Sequence, residues 1–144
     1  MENLKKSYLI IILLFSVVFA GCNSDKSEAE VNEKKVAVAF FDAVYNSKDI
    51  NIIRKLSSDN FKTEISQYKT AQHFSRRVLN MQFDSVKMET AAANTQILDD
   101  LNVQVTMTVL FTGQRNGSIF KDYKKIRLIK KDNTWLVDKL LDNS

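Results

Sequence analysis

Basic side chains are concentrated in one segment near the C-terminus, where they could bind anions. Between residues 115 and 131 there are seven lysines or arginines and a single acid, Asp122. Such a cluster suits anionic lipid headgroups or an acidic partner protein, and it also suits a solvated sheet face that resists edge-to-edge aggregation. Few aromatic residues are interleaved with it, which argues against nucleic acid. The candidate contacts are Arg115, Lys121, Lys124, Lys125, Arg127 and Lys130.

Catalytic and metal-binding chemistry has few candidates. The chain has one histidine, His73, with Arg76 and Arg77 at helical spacing, where they would favour the neutral imidazole. His73 is therefore either a candidate base or an ordinary surface histidine. One histidine and one cysteine cannot form a typical zinc site, and the pair Asp99-Asp100 lacks the spacing of a calcium loop. We expect no metal, no cofactor and no enzymatic activity.

The only cysteine, Cys22, follows an apolar run of eleven residues from Leu9 to Phe19. A helix of eleven residues is about 17 Å long, whereas the bilayer core is about 30 Å thick. The run is therefore typical of an exported signal and too short for a permanent membrane span.

Residues 19–22, Phe-Ala-Gly-Cys, resemble the bacterial lipobox, although Phe19 stands where leucine is usual. The resemblance implies a signal peptide over 1–21, a diacylglyceryl group on Cys22 and acylation of its new amine, so that the protein is exported and anchored to the cell membrane, or to the outer membrane if the host has one. A free cysteine behind an ordinary secretory signal is the alternative.

Two regions follow the predicted signal peptide. In residues 22–35 the lipobox resemblance implies that Cys22 is lipidated, and the polar residues after it predict a flexible tether. Residues 36–144 are long enough for one domain. This domain has no proline and only two glycines. We therefore expect the breaks between its helices and strands to fall mostly at asparagine, aspartate and serine.

The first half of the domain shows helical spacing. Val36, Phe40 and Val44 recur every four residues and predict an amphipathic helix that stops near Asn46. Asp49 is a suitable N-cap for a short second helix. A third helical region is predicted over 60–80, interrupted near Thr70.

The second half changes to strand periodicity. Apolar and polar residues alternate almost perfectly from Leu101 to Thr112, which predicts a long half-buried strand. Asn116-Gly117 predicts a two-residue hairpin turn, followed by a strand over 119–131. A second turn at Asp132-Asn133 leads to the strand TWLVDKL, and a weaker strand is predicted over 86–92. The expected architecture is an α+β domain with helices packed on a bent four-stranded antiparallel sheet.

Two segments, FFDAVYNSKDINIIRKLSSDNF and YKKIRLIKKDNTWLVDKL, resemble the opening helix pair and the final hairpin of the NTF2-like (cystatin-like) domains found on bacterial lipoproteins. The resemblance implies a cone in which the sheet wraps around the first helix. Some members are isomerase-like enzymes, and these carry a carboxylate inside the cone. The strand positions in phase with Val103–Val109 and with Trp135 and Val137 have none.

The sequence therefore predicts a membrane-anchored lipoprotein whose domain binds or scaffolds a protein at the cell envelope. The alternative is a pocket for a small apolar ligand, walled by aromatic residues that could equally be core. These residues are Phe40, Phe41, Tyr45 and Trp135.

Overall fold

The first helix is longer than the sequence predicts. The computed structural model describes residues 25–98 and 103–142. Helix α1 spans Asp25–Tyr45, so the segment predicted as a flexible tether, 22–35, is helical from Asp25 onward. This part of the prediction was wrong because polarity alone does not oppose a helix. The segment contains alanine, glutamate and lysine, which favour helix, and neither proline nor glycine interrupts it.

Three shorter helices follow, and a side-chain cap starts each one. They are α2 (Ile50–Lys55), α3 (Asp59–Ile65) and α4 (Ala71–Phe74), and α4 continues into a π-helical turn at Ser75–Leu79. As predicted, the Asp49 carboxylate accepts from the first amides of α2. The hydroxyls of Ser58 and Thr70 cap α3 and α4. Thr70 thus marks the predicted interruption, because its side chain starts a new helix.

The described strands form one antiparallel sheet in which each strand pairs with the next along the chain. They are β1 (Ser85–Ile97), β2 (Val103–Arg115), β3 (Ser118–Lys131) and β4 (Thr134–Leu141). Both predicted hairpin turns are confirmed, since Asn116-Gly117 and Asp132-Asn133 have positive φ at both positions. Strand β1 is longer than predicted, and the predicted start of β2 at Leu101 lies outside the described residues.

The inner face of the sheet packs against the helices. Every second residue of β2 from Val105 to Phe111 is buried, and β3 and β4 contribute four more buried side chains, namely Ile126, Leu128, Trp135 and Val137. Phe40 and Phe41 of α1 lie in the centre of this core, where their rings contact those of Phe61, Phe74 and Phe111. The apolar helix face and the alternating strands thus bury each other.

Hydrogen bonds to the backbones of both edge strands join the helical half to the sheet. At β4, the Val137 N–H donates to the Leu56 carbonyl (2.8 Å), and the Ser58 N–H donates to the Val137 carbonyl (2.8 Å). At β1, the side-chain amide of Asn46 donates to the Val86 carbonyl (3.1 Å). These contacts hold the sheet around α1.

The predicted signal peptide and Cys22 lie outside the described residues. Among residues 25–98 and 103–142, no helix is long and apolar enough to cross a membrane.

Candidate functional site

The outer face of the sheet, turned away from the helices, carries a mixed apolar and basic surface. Leu110 of β2 lies opposite Tyr123 of β3, and these side chains are 42% and 43% exposed. Lys121 and Lys125 stand two residues to either side of Tyr123 and therefore share its face. We call these four residues the outer patch. Its two apolar side chains and two cations make it a surface that can contact a partner.

A shallow hollow of about 240 Å³ adjoins the outer patch on the β1 side. Lys87 and Glu89 contribute to its lining, and their side chains form an ion pair of 2.8 Å. This hydrogen bond lowers the pKa of the exposed Glu89 carboxyl and raises the pKa of the Lys87 ammonium. Glu89 is therefore already paired with a cation, whereas Asp122, which also lines the hollow, places a second carboxylate beside the patch.

The predicted basic cluster divides between the two faces of the sheet. Lys121, Lys125 and Arg127 alternate with the buried Ile126 and Leu128 and point outward. Lys124 and Lys130 are in phase with the buried positions. Lys130 Nζ lies 6.0 Å from the centroid of the Trp135 ring. The six residues therefore do not form one continuous surface.

Two arginines of the cluster are engaged by neighbouring side chains. Arg127 binds Asp138 of β4 through two guanidinium nitrogens, with Nε 2.9 Å from Oδ2. The other carboxylate oxygen of Asp138 accepts from the Ser58 hydroxyl at 2.8 Å. Arg115 lies 4.4 Å above the centroid of the Phe120 ring. Arg127 thus has a structural contact that a charge reversal would break.

The four aromatic residues predicted to wall a pocket occupy different places. Phe40 and Phe41 are fully buried in the core. Tyr45 contributes to a cavity of about 320 Å³ between the end of α1, the π-helical turn and the β2–β3 hairpin. Trp135 contributes to a separate groove of about 420 Å³ at the edge of β4. The structure does not bring these four side chains together around one space.

The Tyr45 hydroxyl is buried and has no hydrogen-bond partner among the described residues. Burial raises the pKa of this phenol far above its usual range, and the Asp122 carboxylate raises it further. The group therefore stays protonated at any physiological pH and can only act as a neutral donor or acceptor. Lys48, Arg76 and Arg115 line the nearby cavity and make it basic, with Asp84 as a counter-charge.

His73 lies on the surface of α4, with its ring in edge contact with Tyr68 at 5.4 Å. Arg76 and Arg77 belong to the π-helical turn, so regular α-helical spacing from His73 does not apply to them. Within the described parts of the chain, no three histidine, cysteine or acidic side chains are grouped as metal ligands would be. Asp99 and Asp100 lie outside those parts.

Two residues near these sites were not singled out by the sequence. Leu110 is apolar at an outward position, and this break in the alternation of β2 could have revealed the outer patch. Asp122 is a carboxylate in phase with the inner face of β3, opposite Phe111. Counting outward from the Asn116-Gly117 turn would have placed it there, since a two-residue turn fixes the register.

Comparison with known proteins supports the fold. No protein-family model and no curated protein matches this chain. An NTF2-like protein involved in plasmid conjugation superposes with a TM-score of 0.51 and 14% identity, over 88% of this chain and 45% of that one. An NTF2-like protein with a cystatin-like fold from Novosphingobium aromaticivorans gives 0.49 and 10%, over 86% and 94%. The association domain of CaMKII from C. elegans gives 0.49 and 18%, over 79% and 95%.

The described chain is thus an α+β domain with an NTF2-like fold, which confirms the predicted fold class. It spans less than half of the conjugation protein. At 14% identity the likeness concerns the fold alone, because one fold hosts many unrelated functions.

Proposed function

We propose that this protein is a membrane-anchored lipoprotein whose NTF2-like domain binds an acidic partner protein at the cell envelope through the outer patch. The observation that carries the proposal is the pairing of Leu110 with Tyr123 on an exposed sheet face, flanked by Lys121 and Lys125. Protein interfaces combine exposed apolar anchors with a polar rim. The lysines select an acidic partner and increase the rate of its association.

The anchor follows from the lipobox resemblance at Cys22. Two or three acyl chains at about 0.8 kcal/mol per buried methylene give stable attachment, whereas one chain does not. A membrane anchor also concentrates the domain near envelope partners, so that a patch with modest affinity is enough to bind one.

The experiment is a cross-linked pull-down of the tagged full-length protein from detergent-solubilised membranes. Lys121→Glu reverses one charge of the outer patch, and Lys69→Glu makes the same change at an exposed position before α4. We leave Arg127 unchanged because its contact with Asp138 supports the fold. A stoichiometric partner that is lost with Lys121→Glu and retained with Lys69→Glu supports the proposal.

Equal capture by both variants would assign the partner to another surface. Capture of no partner, together with liposome binding that Lys121→Glu weakens, would replace the protein partner by anionic headgroups.

The second candidate is a small ligand in the cavity beside Tyr45, favoured by the unpartnered hydroxyl and by a volume within the usual range for such sites. Native mass spectrometry of the protein released from detergent tests it. A bound small molecule that disappears in Tyr45→Phe would support this function over the outer patch.

A further inference from the structure

The groove beside Trp135 has the components of a peptide-binding site, and it lies at the edge of the sheet rather than on the outer patch. Its volume is about 420 Å³, and its walls come from α1, the end of α2 and the start of β4. Val36, Leu56 and Trp135 supply apolar surface, whereas Lys35 and Lys55 supply charge. Among the described residues that line it, none is acidic.

The backbone of β4 presents hydrogen-bonding groups toward this groove. Val137 uses both its N–H and its C=O to pair outward with Leu56 and Ser58. In an antiparallel strand, residues two apart direct these groups to the same side. Trp135 lies two positions before Val137, and no bulge intervenes between its pairing with Lys130 and the pairing of Val137 with Leu128. The N–H and C=O of Trp135 therefore face outward as well, toward the space beside Leu56.

The chain itself shows that this edge accepts a strand. Residues 56–58 form a parallel bridge with β4 through Ser57 and Val137. Before Leu56 the chain turns into α2, which ends at Lys55, so the pairing does not extend along β4 to Trp135. An added segment would continue the edge pairing at this point.

The indole of Trp135 supplies a second unused donor. Trp135 is only 5% exposed, and its Nε1 is buried without a hydrogen-bond partner among the described residues. Buried donors are normally satisfied, and because Nε1 has almost no accessible surface, a bound acceptor would pair with it only after the indole turns toward the groove. A carbonyl or a carboxylate provides such an acceptor.

We propose that the groove binds an extended acidic peptide segment of a partner protein, which adds to the edge of β4 at Trp135. Backbone pairing supplies the orientation, the apolar wall holds alternate side chains, and Lys35 and Lys55 pair with carboxylates. This site shares no residue with the outer patch, so it does not depend on the function proposed above.

Trp135 is the only tryptophan of the chain, so its fluorescence reports on the groove directly. The full-length protein in detergent is titrated into the millimolar range with three blocked peptides. The first alternates glutamate and valine over five residues, the second is the same peptide N-methylated at its central residue, and the third replaces glutamate by lysine. We expect a saturable change with the first peptide and binding about tenfold weaker or worse with the other two.

Three protein variants locate the binding. Lys55→Glu weakens binding of the acidic peptide, Lys69→Glu leaves it unchanged, and Lys121→Glu also leaves it unchanged because the outer patch is separate. Equal binding of the N-methylated peptide would overturn the edge pairing. Absence of a saturable change with the acidic peptide would overturn the proposal. A change produced by decanoate but not by the acidic peptide would also overturn it, and would reassign the groove to an anionic amphiphile.

Discussion

Replacement of Gly113 in β2 by alanine tests how tightly this strand packs against Phe83. A Cβ at this position would lie 2.4 Å from Cδ1 of Phe83 and 2.9 Å from both Cε1 and Cγ. Ordinary contact begins near 3.4 Å, so the partly buried ring would have to move by about 1 Å against the side chains that hold it. Phe83 is held by Tyr45 on its edge (5.3 Å between centroids) and by Phe111 in a stacked arrangement (6.2 Å).

Overpacking of this kind costs about 1–3 kcal/mol of folding free energy. For a domain of this size, each kcal/mol lowers the melting temperature by about 4 °C. We therefore expect Gly113→Ala to lower the melting temperature by about 4–12 °C, measured by circular dichroism at a fixed protein concentration and checked by urea denaturation. Gly113 does not have a positive φ, so backbone strain adds nothing to this value.

The same substitution in a Phe83→Ala background provides the control. Without the ring there is no clash, and replacing a strand glycine by alanine is then neutral or stabilising, by up to about 1 kcal/mol. An equal loss of stability in both backgrounds would refute the steric explanation, as would a Gly113→Ala protein as stable as the wild type.

Three further predictions concern polar groups. Asp138→Ala removes the partner of the partly buried Arg127 and should cost about 2 kcal/mol in urea denaturation, less than a fully buried pair because water still reaches the arginine. Tyr45→Phe removes an unpartnered buried hydroxyl and should stabilise by about 1 kcal/mol. Because the folded pKa of Tyr45 is raised, wild-type stability is fully present below the ordinary pKa of 10.0 and falls above it, and the variant should lose this fall in alkaline denaturation. The exposed Asp59 carboxyl should titrate below its ordinary pKa of 3.8 by NMR, because Lys131 and, less strongly, Lys62 lower its pKa. Its small stabilisation should disappear as the pH falls through the folded pKa, and Lys131→Met should move the pKa only part of the way back because Lys62 remains.

The features that sequence predicts well are those fixed by neighbouring residues. Alternation over β2 determines which side chains are buried, because successive strand residues point to opposite faces. Asn116-Gly117 and Asp132-Asn133 determine the pairing, since few other residues adopt positive φ twice in succession. The Asp49 cap is equally local. Strand order, turns and one helix start are therefore encoded by short segments that can each be interpreted without knowledge of the tertiary contacts.

The features that sequence misses depend on contacts between distant segments. Arg127 meets Asp138 only because a register shift in the β3–β4 pairing places the carboxylate beside the guanidinium. Phe40 and Tyr45 belong to the same helix and look alike as pocket candidates. Both are buried, but Tyr45 also contributes to the wall of a surface cavity because it lies at the C-terminal end of α1. The start of α1 at Asp25 was missed because the prediction relied on burial, whereas helix propensity continues beyond the buried face.

The order of the strands has a consequence for how the chain folds. Each strand pairs with its neighbour in sequence. The sheet can therefore form one hairpin at a time, and each step loses little entropy to loop closure. The Ser57–Val137 bridge is different, because Ser57 precedes the first strand whereas Val137 lies in the last one. We expect this contact to form late in folding and to open first in local fluctuations. Amide hydrogen exchange should then be faster at Ser58 and Val137 than in the centre of β2.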